Sequence, residues 1–173
     1  MPKIIENLRE QLLAETKRQA FELGYSQTTI RSVASACGVG IGTVYNYFKS
    51  KDMLVAEVVH DDWKRYLKLM SELSYEDPKV FFAGIYSSLM QFAADYEKLF
   101  SDPDAARLAS NGSESRHKML REQIVAFVLP FCQARKFDDP RFASEFISES
   151  ILCWSMQKED FAKVYPLLEK IIK

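Results

Sequence analysis

Signs of β-structure are nearly absent from this sequence; apolar residues recur at intervals of three and four, the period of helices. Glycine and proline are scarce, six of each in 173 residues, and no low-complexity segment or internal repeat is present. No apolar stretch is both long enough and free enough of charge to span a bilayer. Met1 to Glu10 lacks the apolar run and cleavage site of a secretory signal, so the expectation is a cytoplasmic protein without a membrane partner. The three cysteines, Cys37, Cys132 and Cys153, are an odd number without metal-ligand spacing. Each sits among apolar residues, as reduced buried thiols do. A nucleophile elbow, a phosphate loop, an HExxH pair and a paired-carboxylate arrangement are all missing, so neither an enzyme nor a cofactor is expected.

What is present is the composition of a globular chain, 47% hydrophobic and 27% charged. Aromatic residues are plentiful, with 12 Phe and 8 Tyr, enough to fill a core and to suit a pocket for an apolar molecule. The net charge of −1 is unevenly spread: residues 1–51 carry +3 and residues 52–173 carry −4. A mildly basic head on an acidic body fits contact with a polyanion confined to the N-terminal part.

The periodicity predicts a first helix from about Lys3 to Leu23, with Ile5, Leu8, Leu12, Ala20 and Leu23 on its apolar face and Gly24 as its stop. Thr29 is placed to cap a short helix, Ile30 to Cys37. Gly38 breaks it, and a second short helix covers Ile41 to Phe48. Ser50 caps a long helix from Lys51 to about Leu73, whose first turn carries Asp52. Further antiparallel helices follow: one opened by Pro78 and running to Phe100, and a short piece from Asp102-Pro103 to Asn111-Gly112. Then come Ser113 to Cys132 with a kink at Pro130, Pro140 to about Gln157, and Glu159 to Lys173, bent or divided by Pro166.

The informative window runs from Thr28 to Lys51, TTIRSVASACGVGIGTVYNYFKSK. A helix-turn-helix needs a small residue where its helices cross, a residue at ease with positive φ in the turn, and a branched apolar residue inside the second helix. Ala34, Gly38 and Val44 meet those needs at offsets of four and six, with Val33 and Val39 as further core contacts. Two short amphipathic helices of any bundle would show the same pattern. The outward face tips the balance. Thr43, Tyr45, Asn46 and Tyr47, followed by Lys49 and Lys51, surround one valine. Hydroxyls and ammonium groups anchor phosphates, and Asn46 and Thr43 can reach base edges.

The run from Ala20 to Val58 resembles the N-terminal domain of the TetR family of bacterial helix-turn-helix regulators. The matching residues are Ala20-Phe21, Gly24-Tyr25, Thr28-Thr29-Ile30-Arg31, Val33-Ala34, Gly38-Val39, Gly42 to Phe48, and Lys49-Ser50-Lys51-Asp52 with Leu54. The resemblance implies an all-α protein. Residues 1–50 would be a three-helix DNA-binding head, and 51–173 an antiparallel helical ligand-binding and dimerisation domain. It further implies a homodimer, formed usually through the last two long helices, that binds double-stranded DNA at a palindromic operator. The dimer would act as a repressor answering to a small-molecule effector of apolar or aromatic character. By carry-over, Thr43, Tyr45 and Tyr47 contact DNA and Lys51 holds a phosphate. Thr29 caps the second helix near the backbone, and Arg31 reaches phosphate or a guanine edge. Gly40 stands where the family commonly has a capping serine. Ile41 and Gly42 offer no side-chain donors; Ile41 could pack on a thymine methyl and Gly42 admit close approach of the backbone.

The body carries no motif. Its aromatic stripe, Phe82, Tyr86, Phe92 and Tyr96, is core or pocket lining, and Phe127, Phe131, Trp154 and Met156 are comparable candidates for an effector site. His60 with Asp61-Asp62 has the residue types of a metal site, but neighbours on a helix point apart, so a solvated face and no metal are expected. His117 reads the same way. A DNA-bound adaptor whose body binds another protein, or a small helical enzyme, remain alternatives to the sensor.

Overall fold

The computed structural model describes residues 7–105 and 113–172, and every described element is helical. The helices are α1 (Leu8–Leu23), α2 (Ile30–Ala36), α3 (Ile41–Tyr47), α4 (Lys51–Ser71), α5 (Pro78–Asp95), α6 (Glu97–Ser101), α7 (Ser113–Ala134), α8 (Pro140–Met156) and α9 (Phe161–Ile172). Ile5, the start at Lys3 and the stop at Asn111-Gly112 lie outside the described residues. No described helix is long and apolar enough to cross a membrane. Two compact units result: residues 7–64 with 95–105, and residues 65–94 with 113–172.

In the first unit, Leu8, Leu12 and Leu13 of α1, Ile30, Val33 and Ala34 of α2, Val44 of α3, Phe48, and Leu54 and Val58 of α4 form one core. Thr29 and Ser32 cap α2 reciprocally: the Thr29 hydroxyl oxygen accepts from the Ser32 N–H at 3.0 Å, and the Ser32 oxygen accepts from the Thr29 N–H at 3.1 Å. Such a cap is worth about 1 kcal/mol. Gly38 has φ 67°, the left-handed region that side chains disfavour, and so lets Val39 N–H return to Ala34 O at 2.9 Å. Ser50 Oγ accepts from Met53 N–H at 3.1 Å and starts α4.

The helix expected from Pro78 to Phe100 is broken. Tyr96, at φ −104° and ψ 12°, separates α5 from α6. Its hydroxyl donates to Asp62 Oδ2 of α4 at 2.7 Å, and its ring meets Phe21 edge-on at 4.9 Å. Long-range bonds that draw in one residue override a helical pattern that could have continued through it. Residues 95–105 join the head through further contacts. Asp102 accepts from the Ser26 N–H at 2.8 Å and the Ser26 hydroxyl at 2.9 Å, and Lys98 donates to Glu22 O. Residues 103–105 are helical.

The second unit is built on Phe81 and Phe82 of α5, which pack with Phe131 of α7 at ring separations of 5.8 and 5.0 Å. α7 and α8 run antiparallel, since His117 pairs with Glu149 and Glu122 with Arg141. Asp139 caps α8 by accepting from Phe142 N–H at 2.9 Å, with Pro140 in the first turn, where its missing N–H costs nothing. Pro130 and Pro166 each lie inside a helix, so Pro166 does not divide α9. Tyr86 donates its hydroxyl to Glu159 O at 2.7 Å and pins the α8–α9 connection to α5.

Candidate nucleic-acid interface

α3 has one inward side chain, and the rest of its face follows from that. Val44 is fully buried against α1 and α2. Helical spacing then turns Gly42, Tyr45 and Asn46 away from the core, and all three are exposed, as are Ile41 at the start of the helix and Tyr47 at its end. Tyr45 and Tyr47 keep 46% and 47% of their surface in solvent, far above what packing aromatics would leave. Thr43 is half-buried. Lys49 follows on the exposed strip after Phe48, whose ring anchors the end of the helix in the core. From α2, Thr29 and Arg31 are exposed as well. Gly40 precedes α3 without a side-chain cap; only its carbonyl accepts, from Thr43 N–H at 2.9 Å. The surface thus offers phenol, amide, guanidinium and ammonium groups from two short helices joined by a glycine turn.

Lys51 differs from the outward group in which the sequence placed it. It is half-buried, its Nζ donates to Tyr25 O at 3.1 Å, and the ammonium lies 3.7 Å from the centre of the Tyr25 ring. The Tyr25 hydroxyl donates in turn to Asp52. Burial, with the Asp52 carboxylate beside it, holds that phenol well above its ordinary range. Lys51 and Asp52 therefore clasp the turn after α1 to the start of α4. The ammonium has further protons for a phosphate, but its position is set by Tyr25. Nothing local in the sequence pairs residues 25 and 51.

The eight aromatic and sulfur side chains named for an effector occupy different places. Phe82, Tyr86 and Phe131 are buried in the core of the second unit, and Phe92 packs edge-on against Tyr66 at 5.5 Å. Phe127 is half-buried. Tyr96 belongs to the first unit, where its hydroxyl is engaged with Asp62. Met156 is 61% exposed at the end of α8. Trp154 alone of the eight lines an open groove of about 370 Å³, with Phe146 and Ser150 of α8 and Val164, Leu167 and Ile171 of α9. These aromatic residues serve variously as core, as buttress and as outer surface.

On α4, Glu57, His60 and Asp61 bring one ligand atom each within 4.8 Å of the others, since Glu57 lies one turn before His60. Glu57 is bonded to Arg9 and Asp61 lies 3.8 Å from Lys64, so both carboxylates have cationic partners. Asp62, adjacent in sequence, faces the other way onto Lys17. His117 is also more engaged than expected, 2.8 Å from Glu149. Cys132 is fully buried, which pushes its thiol up to about 11.

Residues 12–58 match the family described as bacterial regulatory proteins, tetR family. The HTH-type transcriptional repressor KstR2 of Mycolicibacterium smegmatis is 37% identical over 57 residues, which is 32% of this chain and 28% of that protein. The chain thus aligns with well under half of the curated relatives' length. Likeness of fold extends further. A transcriptional regulator from Rhodococcus sp. Rha1 superimposes with a TM-score of 0.63 at 19% identity, covering 91% of this chain and 87% of that one. A TetR-family transcriptional regulator from Pectobacterium atrosepticum gives 0.64 at 16% identity, covering 94% and 91%.

Proposed function

Because residues 12–58 match the family described as bacterial regulatory proteins, tetR family, we propose that this chain is a DNA-binding repressor of that family and acts as a homodimer on a palindromic operator. The observation that carries this reading is the face of α3: Tyr45, Asn46 and Tyr47 exposed around one buried valine, with Lys49 beside them. Asn46 and Arg31 read base edges; Tyr45, Tyr47 and Lys49 hold phosphates. Thr29, Ile41, Gly42 and Thr43 complete the surface, and Lys51 contacts phosphate from its seat on Tyr25. Two such heads meet successive major grooves about one helical turn (~34 Å) apart.

Homodimerisation is supported by the outer faces of α8 and α9. Phe142, Phe146, Leu167 and Ile171 are 67%, 50%, 63% and 40% exposed, and the groove between the helices is mostly apolar. Contiguous apolar surface of this kind favours a protein partner, and a second copy fits the family's habit. An apolar or aromatic effector that prefers one arrangement of the body would shift the population of dimers able to bind DNA.

Selection from random DNA, followed by gel shifts, tests the reading. A palindromic site bound by the wild type and lost in Tyr45→Ala together with Asn46→Ala is the expected outcome. Failure to enrich any sequence sinks it.

A further inference from the structure

Position 19 lies on the buried face of α1, between Thr16 and Ala20, where packing alone calls for an apolar side chain. Gln19 occupies it at 3% exposure. A buried amide is costly unless its polar atoms find partners, and both ends of this one do. Nε2 donates to Glu15 Oε1 at 2.7 Å, and Oε1 accepts the Ser32 hydroxyl at 2.5 Å. Glu15 is held in turn by Arg18, which donates from Nε at 2.9 Å and from Nη2 at 2.7 Å. The Ser32 hydroxyl has a second acceptor, Thr29 O at 2.9 Å, so its proton is shared between that carbonyl and Gln19, while its lone pairs receive the Thr29 N–H and close the reciprocal cap. The chain of bonds therefore runs from the surface of α1, through its buried side, to the first turn of α2. At the far end of α2, Cys37 Sγ lies 3.7 Å from Gln11 O.

Apolar packing by Ile30, Val33 and Ala34 keeps α2 on α1, but it is non-directional and leaves a seven-residue helix room to tilt or slide. A hydrogen bond has a required length and angle, and so fixes register. We propose that Gln19 is a positioning residue of the DNA-binding surface: through Ser32 it sets the orientation of α2 on α1, and with it the placement of Arg31, Tyr45 and Asn46. This rests on the DNA-binding reading above. It adds a residue that touches no DNA and lies before the helix-turn-helix window. A small tilt of the two helices spoils the bidentate geometry that reads base edges, whereas long flexible phosphate ligands follow the movement. Gln19 therefore governs discrimination between sequences more than binding to DNA in general.

The test uses the full chain, the site obtained by selection, and an unrelated duplex at the same salt concentration. Gln19→Leu and Ser32→Ala are each expected to weaken binding to the selected site about fivefold, the effect of one net hydrogen bond. Affinity for the unrelated duplex, and the dependence of binding on salt, should stay near wild type. The double variant should do no worse than the weaker single, as expected for two ends of one interaction. General destabilisation would lower both affinities together, so the ratio separates positioning from loss of fold. Ser32, half-buried in the first turn of α2, carries the test should Gln19→Leu fail to fold. A wild type that enriches no sequence overturns the DNA-binding reading and this inference with it. A wild type that enriches one while the folded variants keep its full preference overturns the inference alone.

Discussion

Tyr96 donates its hydroxyl to Asp62 Oδ2 at 2.7 Å, across 34 residues of sequence, and Lys17 closes on the same carboxylate at 2.6 Å. One half-buried acid thus joins α1, α4 and the break between α5 and α6. It does so inside the unit that carries the helix-turn-helix.

Tyr96→Phe keeps the ring against Phe21 and removes the hydroxyl, with its bond to Asp62 and its longer one to Val58 O at 3.4 Å. A hydrogen bond to a charged group contributes roughly 1.5–3 kcal/mol. Denaturant unfolding of the variant should show a loss in that range, with an unchanged slope against denaturant. No measurable loss would mean that Asp62 is held without the Tyr96 hydroxyl.

Lys49 and Lys51 should separate cleanly. Lys49 is exposed and Lys51 sits on Tyr25. Lys49→Ala is expected to flatten the salt dependence of DNA binding by roughly one charge equivalent. Lys51→Ala should instead lower the melting temperature as well, because it frees the turn after α1. Equal melting temperatures for wild type and Lys51→Ala would remove the clasp as an explanation.

Asp102 carries a pH signature. The backbone N–H of Ser26, followed by the Ser26 hydroxyl and the N–H groups of Asp104 and Ala105, holds its carboxyl below the ordinary carboxylate range. A lowered folded-state value means that the stabilisation is complete above the unfolded value of 3.8 and is lost as pH falls through the folded one. Melting temperatures of wild type and Asp102→Asn should therefore differ most near neutrality and converge below about pH 4. A constant gap across that range would assign the contact no role in acid sensitivity.

Leu167→Glu places a charge in the apolar groove between α8 and α9, on a side chain that is 63% exposed within the chain. The fold should survive it. In sedimentation experiments the wild type should run as a dimer and the variant as a monomer, with a matching fall in operator affinity. A variant that remains dimeric puts the interface elsewhere.

The parts of the head that were legible in sequence are those made by near neighbours. Thr29 and Ser32, Ala34 and Val39, Gly40 and Thr43 interact within three to five positions, so residue type and spacing announce the cap, the turn and the helix start. The same locality exposes Tyr45 and Asn46 once Val44 is inside. The break at Tyr96 was not legible, since the run from Pro78 to Phe100 satisfies helical periodicity and its interruption comes from Asp62. The places taken by the aromatic residues of the body were not legible for a related reason: an aromatic residue announces apolar surface but not which neighbour covers it.

The sequence by itself determined the all-helical class, the helix-turn-helix and the outward face of α3, because backbone geometry and three- to five-residue contacts settle these. Tertiary structure alone decided that residues 95–105 belong with the head, that Lys51 is seated on Tyr25, and that Gln19 holds Ser32. Those pairings join residues 13 to 78 positions apart, and only the closing of the core brings them within bonding distance.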